Sequence, residues 1–176
     1  AFYSCNSLAT VTFGDSSQLT SIGYEAFYWC DSLTSIEIPN SVMSIGDYAF
    51  YYCYKLTTVT FVENSQLKSI GSSAFYYCER LKSIYLLGKI PPIVDWCNFT
   101  TIHYERLQLY IPSGTLGTFK VADIWKEFMN IQEIDTTGIK NVDSDAPVFK
   151  YTNNGIVFTN AINKNISVYA ANGLSI

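Results

Sequence analysis

The chain has 176 residues, 48% of them hydrophobic and 15% charged, which supplies a packed core and excludes a disordered tail. Eleven basic residues against fifteen acidic ones leave a net charge of −4, which argues against a nucleic-acid backbone as the partner. No apolar run approaches the roughly 18 residues of a membrane-spanning helix, and the length fits one domain with a small appendage.

The chain opens Ala1-Phe2-Tyr3-Ser4-Cys5, with no initiator Met and no signal segment. It is therefore expected to be a piece of a longer chain whose targeting signal lies elsewhere. That opening text returns as Ala26-Phe27-Tyr28-Trp29-Cys30, Ala49-Phe50-Tyr51-Tyr52-Cys53 and Ala74-Phe75-Tyr76-Tyr77-Cys78. The gaps between successive cysteines 5, 30, 53, 78 and 97 are 25, 23, 25 and 19 residues. A leucine follows each of the first four cysteines by three residues, as Leu8, Leu33, Leu56 and Leu81. After it come Val11 and Phe13, Ile36 and Ile38, Val59 and Phe61, or Ile84 and Leu86.

Ile22-Gly23, Ile45-Gly46 and Ile70-Gly71 precede the next Ala-Phe at a fixed interval. The length difference between repeats falls between Phe13 and Ile22 or Phe61 and Ile70, compared with Ile38 and Ile45. Variation confined to one place marks a surface loop. A period of 23–25 residues with Leu-x-x-Ile-x-Ile spacing lies in the leucine-rich-repeat range. Each coil is then one short strand with Ile36-type and Ile38-type residues inward, and parallel stacking at about 4.8 Å builds a sheet. Phe, Cys and Leu, three apart, share one face of a helical turn.

The order strand, Ile-Gly, Ala-Phe-x-x-Cys-x-x-Leu resembles the BspA-like leucine-rich-repeat family of bacterial surface proteins, over four copies from Ala1 to about Leu86. The resemblance implies an extracellular, adhesive or ligand-binding array without a catalytic centre.

Gly88-Lys89-Ile90-Pro91-Pro92 interrupts the pattern, because a double proline cannot continue a ladder. Leu109-Tyr110-Ile111-Pro112 matches Ile36-Glu37-Ile38-Pro39 and reads as a fifth strand. Phe119, Ala122, Trp125 and Phe128 have the spacing of a helix or two short helical turns. The run from Ile111 to Ile131 is similar to the C-terminal cap of the same family, and a solenoid needs such a cap over its last coil. The fold class is thus a repeat solenoid (a parallel β stack with short helical turns) over residues 1–134. An α/β cap occupies about 88–134, and a partial all-β unit spans 138–176.

Asp135-Thr136-Thr137-Gly138 reads as a linker, and Asp135-Thr136-Thr137 is similar to acceptors of bacterial surface O-glycosylation. Beyond it, strands with turns at Asn153-Asn154-Gly155 and Asn172-Gly173 are expected. Gly155-Ile156-Val157-Phe158 and the stretch 166–173 are similar to the sorting tails of secreted bacterial proteins, here truncated. The Asn98-Phe99-Thr100 and Asn165-Ile166-Ser167 sequons carry no weight in a bacterial chain.

Chemistry-bearing patterns are scarce. Stacked coils bring cysteine Cα atoms within disulfide range, but parallel side chains do not face one another, so buried free thiols are expected. Zinc-ligand spacing is missing, Asp143-x-Asp145 lacks the ligands of a calcium loop, and no phosphate-binding glycine loop occurs. No cofactor or metal is expected. His103 is the only histidine, six residues from Cys97, and reads as a solvated loop residue; a Cys97–His103 enzyme is a distant alternative.

Two surfaces remain. Outward positions on the strands carry Thr10, Thr12, Ser35, Glu37, Thr58, Thr60, Ser83, Tyr85, Gln108 and Tyr110. Of these, Tyr85, Tyr110, Glu37, Thr58 and Thr60 are the candidate partner-binding residues, with the two tyrosines side by side. The second choice is a pair of aromatic columns, Tyr28, Tyr51, Tyr76 and Trp29, Tyr52, Tyr77, which packing alone would also explain. The reading is an adhesion module, extracellular or at an outer-membrane-exposed cell surface, that binds host or bacterial surface proteins or glycans. Neither nucleic acid nor membrane insertion is expected. The alternative is a rigid stalk with a C-terminal export or anchoring unit.

Overall fold

A computed structural model describes residues 1–14, 16–95, 97–136, 148–152 and 155–159. These belong to two compact units, Ala1–Thr136 and Thr137–Ile176.

Two parallel sheets run through the first unit. The narrower one orders β1 (Ser21–Ile22), β3 (Ser44–Ile45), β5 (Ser69–Ile70) and β7 (Ile93–Val94) side by side. The wider one orders β2 (Ser35–Ile38), β4 (Thr58–Phe61), β6 (Ser83–Leu86), β8 (Gln108–Pro112) and β9 (Asn130–Ile134). The register pairs repeat with repeat: Ile36 with Val59, Val59 with Ile84, Ile84 with Leu109. Alternation follows from the two-residue period of a strand, so Ile36, Ile38, Val59 and Phe61 are buried while their neighbours face out.

The Ala-Phe-x-x-Cys segments put Phe, Cys and Leu inward, but they are chains of tight turns and not helix. Ala26, Tyr28 and Cys30 donate their N–H groups three residues back, to Gly23, Glu25 and Phe27. Glu25, Phe27 and Trp29 donate across to the next coil, to Asp47, Ala49 and Tyr51, at 3.0, 2.7 and 2.8 Å. A helix would spend every N–H inside its own segment. This alternation leaves half of them for a third inter-coil ladder. It requires left-handed backbone at two places per coil, with φ of +51° and +57° at Glu25 and Trp29 and +56° and +60° at Tyr48 and Tyr52.

Coil-to-coil approach is closest at the Ile-Gly step. A Cβ on Gly46 would lie 2.7 Å from Tyr24 N, and one on Gly71 2.7 Å from Asp47 N, so both must be glycine. Inside, Phe27, Phe50, Phe75 and Phe99 form one stack with ring centroids 5.2–6.3 Å apart, and the exposed Phe2 continues it at 5.3 Å.

The Gly88–Pro92 interruption is local. β7 begins at the residue after Pro92 and extends the narrow sheet, with Ile93 opposite Ser69 and Val94 opposite Ile70. A strand at 108–112 follows as expected, preceded by α1 (Thr101–Arg106). The cap consists of α2 (Leu116–Phe119), a 3₁₀ turn at Trp125–Glu127 and β9, with Ile124 at φ +69° making the corner between the turns. Trp125 is fully buried against Phe99, Phe119 and Phe128, and its Nε1–H donates to Pro92 O at 2.7 Å. These rings cover the last coil.

In the second unit, β10 (Val148–Thr152) and β11 (Gly155–Thr159) pair antiparallel, Val148 opposite Thr159 and Thr152 opposite Gly155. The expected turn residues Asn153, Asn154, Asn172 and Gly173, and the stretch 166–173, lie outside the described residues.

Candidate functional site

The wide sheet places Glu37, Thr60, Tyr85 and Tyr110 in one register row, and Thr58 in the adjoining row with Ser35, Ser83 and Gln108. All five candidates therefore share one face. Tyr85 and Tyr110 stack at 4.3 Å between centroids and 8° between planes. The row continues to Gln132 on β9, a residue that sequence reasoning missed. Ile131 and Ile134 are three apart and so do not show the two-residue period of a strand, and no repeat text anchors this segment.

Both aromatic columns exist. Tyr3, Tyr28, Tyr51 and Tyr76 stack at 4.9, 5.3 and 5.8 Å. Tyr52 and Tyr77 stack at 4.6 Å, Trp29 meets Tyr52 tilted by 34° at 5.4 Å, and Tyr51 and Tyr52 lock the columns edge to face at 4.5 Å. Desolvation, then the neighbouring Tyr52, pushes the Tyr51 phenol up to about 12. Every residue of the second column is left-handed, with φ of +57° to +60°. That conformation costs a non-glycine residue about 1–2 kcal/mol, and an aromatic pair returns about 0.5–1.5 kcal/mol. With three such residues and two ring pairs, the column offsets part of its own backbone strain.

The cysteines are free, as expected. Cys30, Cys53 and Cys78 are buried, and each Sγ faces the carbonyl of a phenylalanine one coil earlier, at 3.1–3.2 Å from Phe2, Phe27 and Phe50. Burial pushes the Cys53 thiol up to about 12 and Cys78 well above its ordinary value, which leaves both unreactive.

Cys97 stands apart from the buried thiols, and His103 differs from expectation. Cys97 is exposed at φ +60°, and the β7 register puts it level with Ser73, outside the buried cysteine column. His103 is not a solvated loop residue. It lies in α1, 4% exposed, and Leu107 N donates to its carbonyl as Leu81 N donates to that of Cys78. The histidine thus stands where the repeat has its cysteine. Its Nδ1 accepts from Thr100 N–H at 3.1 Å, so Nε2–H donates to Cys78 O at 3.1 Å. Desolvation holds its pKa below the usual histidine range, and with both ring nitrogens engaged neither is open to act as a base.

Among the described residues no group of three or more His, Cys, Asp or Glu is placed to hold a metal, and no helix is long and apolar enough to cross a membrane. Residues 1–114 match the BspA type leucine rich repeat region in six copies. The chain belongs to the BspA-type leucine-rich-repeat family. The two further copies beyond the four legible in the text fit the continuation of both sheets through β7 and β8. No curated protein matches the chain. Among solved structures, it is similar to a leucine rich cell surface protein from Faecalibacterium prausnitzii A2-165, with 32% identity and a TM-score of 0.40. The alignment covers 61% of this chain and 29% of that one, so the present chain spans less than a third of its relative.

Proposed function

We propose that this BspA-type module works at the cell surface or outside the cell and binds protein or glycan partners, without turnover, through the outward face of its wide sheet. The observation that carries this is the stacked Tyr85–Tyr110 pair, set in a row with Glu37, Thr60 and Gln132 and beside Thr58. Large amphipathic rings on a Ser/Thr floor are the kind of anchor that dominates interface energy, at about 2 kcal/mol or more for a hot spot. A solenoid offers such a face as a continuous surface held by its backbone ladders. Membership of a surface-protein repeat family supports the location and the non-catalytic role.

A rigid stalk is the second reading, favoured by the three inter-coil ladders and the unbroken ring stacks, which stiffen the coils against one another. Adhesion of the intact protein to arrays of host proteins, bacterial surface proteins and glycans separates the two. The sheet-face reading expects binding that the double variant Tyr85→Ala, Tyr110→Ala loses at unchanged melting temperature. Undiminished binding by that variant rejects the face. No binding by the parent protein favours the stalk.

A further inference from the structure

Each residue of the second aromatic column immediately precedes a buried thiol, as Trp29-Cys30, Tyr52-Cys53 and Tyr77-Cys78. All three cysteines are free, and free thiols are exposed to oxidation in the extracellular setting proposed for this module. Burial raises their pKa values, so they stay protonated, and a thiol is less reactive than a thiolate.

The rings beside these thiols form a connected path across two coils. The Trp29 indole is 43% exposed and meets Tyr52 at 5.4 Å, tilted by 34°. Tyr52 meets Tyr51 at 4.5 Å, Tyr51 meets Tyr48 at 5.3 Å, and Tyr48 meets Tyr24 at 5.9 Å. A second branch joins Trp29 to Tyr28 at 6.3 Å and Tyr28 to Tyr51 at 5.3 Å. These are contact separations for aromatic pairs. Electron transfer between rings falls steeply with distance, so it needs such contacts but not parallel stacking.

The two ends of the path differ chemically. An indole is a good one-electron donor, and that of Trp29 is open to solvent. At the other end Tyr24 is 64% exposed, and its phenol donates a hydrogen bond to the Glu25 carboxylate. A phenol loses an electron most readily as its proton leaves, so a carboxylate within hydrogen-bond reach favours oxidation there. Tyr51, midway along, is desolvated instead, and its phenol is pushed up to about 12, which opposes proton loss.

We infer that these rings are a radical relay, carrying a one-electron oxidation from Trp29 to Tyr24 and away from the buried thiols. A one-electron oxidant, such as a peroxyl radical, takes an electron from the indole. Electrons then pass from ring to ring toward Trp29, and Tyr24 supplies the last. Its O–H bond breaks as the proton moves to Glu25. The products are a neutral tyrosyl radical, a neutral carboxylic acid, a restored indole and the reduced oxidant. A small external reductant, a thiol or an enediol, returns the electron, and Glu25 returns the proton. The relay is separate from the wide-sheet face and stands or falls without it.

Pulse radiolysis of the intact protein with azide radicals, which oxidise indoles selectively, tests the relay. The indolyl radical is expected to decay at a rate independent of protein concentration, matched by a rise of tyrosyl radical. Trp29→Phe is expected to remove this phase. The double variant Tyr28→Phe, Tyr52→Phe keeps the rings but removes the phenols that touch the indole, and is expected to slow it tenfold or more. Nitroso spin trapping with peptide mapping locates the final radical. Adducts on Tyr24 are expected to fall several-fold in Tyr48→Phe, and also in Glu25→Gln, which leaves every ring in place. Loss of the Cys30 and Cys53 thiols is expected to rise several-fold in Tyr48→Phe. A decay that quickens with protein concentration, a phase that the double variant leaves unchanged, or undiminished Tyr24 adducts in both single variants overturns the inference. Unchanged thiol loss in Tyr48→Phe overturns the protective role.

Discussion

The Nε2 atom of His103 lies 3.1 Å from the carbonyl oxygen of Cys78, and the histidine carrying it ends the column of buried thiols that runs through the preceding coils. The first helix of the chain, α1, begins at this coil, so one extra residue separates the column position from the leucine that follows. A larger, hydrogen-bonding side chain fills the wider space and ties the cap to the stack.

This arrangement makes the cap sensitive to acid. Nδ1 accepts from Thr100 N–H, so it cannot take a proton without losing that bond. Burial lowers the pKa in the folded state, opposed by the Cys78 carbonyl and the nearby Glu79 carboxylate. The unfolded chain therefore binds the proton first, from about pH 6.5 downward, and stability falls as pH falls from there towards the lowered folded value. The melting temperature is expected to drop between pH 7 and 5, and His103→Gln is expected to flatten that part of the profile. An unchanged slope in the variant would assign the acid sensitivity to other groups.

Thiol accessibility should divide the cysteines. Cys97 is exposed, while Cys30, Cys53 and Cys78 are buried with raised pKa values. A maleimide reagent should label Cys97 rapidly in the native protein and the three column thiols only after denaturation. Fast native labelling of Cys53 or Cys78 would contradict the packing.

The phenylalanine stack should weigh most at its centre. Phe50 is completely buried between Phe27 and Phe75, whereas Phe2 is 45% exposed. Phe50→Ala is expected to cost about 3–5 kcal/mol, and Phe2→Ala much less, because solenoid stability is a sum of neighbour contributions. Chemical denaturation of the two variants measures the difference, and equal losses would refute it.

Gly46→Ala tests the close approach of the coils. The added methyl would meet Tyr24 N at 2.7 Å and Gly23 C at 2.8 Å, both rigid backbone. Overpacking of this kind costs about 1–3 kcal/mol. Gly14→Ala, which meets nothing within 4 Å, is the matched control and is expected to be near neutral in the same denaturation experiment.

Much of this molecule could be read from its text because each repeat states the same physical requirements again. Four copies of Ala-Phe-x-x-Cys locate the inward column, and the outward tyrosines at 85 and 110 follow from the strand period. The tight-turn ladder was not legible, since spacing of three suits a helical turn equally well. What excludes a helix is the demand of the next coil for the alternate N–H groups, and no single repeat displays it. Cys97 falls short of the repeat distance, level with Ser73, while the successor in the buried column is His103, 25 residues past Cys78, which its different letter hid. The double proline implied an interruption because a proline cannot donate to a ladder, yet β7 starts just past it. The sheet-face row was legible up to Tyr110, and its last member, Gln132, belongs to a cap strand with no repeat to announce it.

Hydroxyl-radical footprinting of the intact protein, free and bound to a partner captured on the adhesion arrays, tests the sheet-face reading most directly. The account predicts that oxidation of Tyr85 and Tyr110 slows several-fold in the complex, while the melting temperature of the unbound protein marks the same fold in both samples. Unchanged oxidation of both tyrosines in a saturated complex would contradict it.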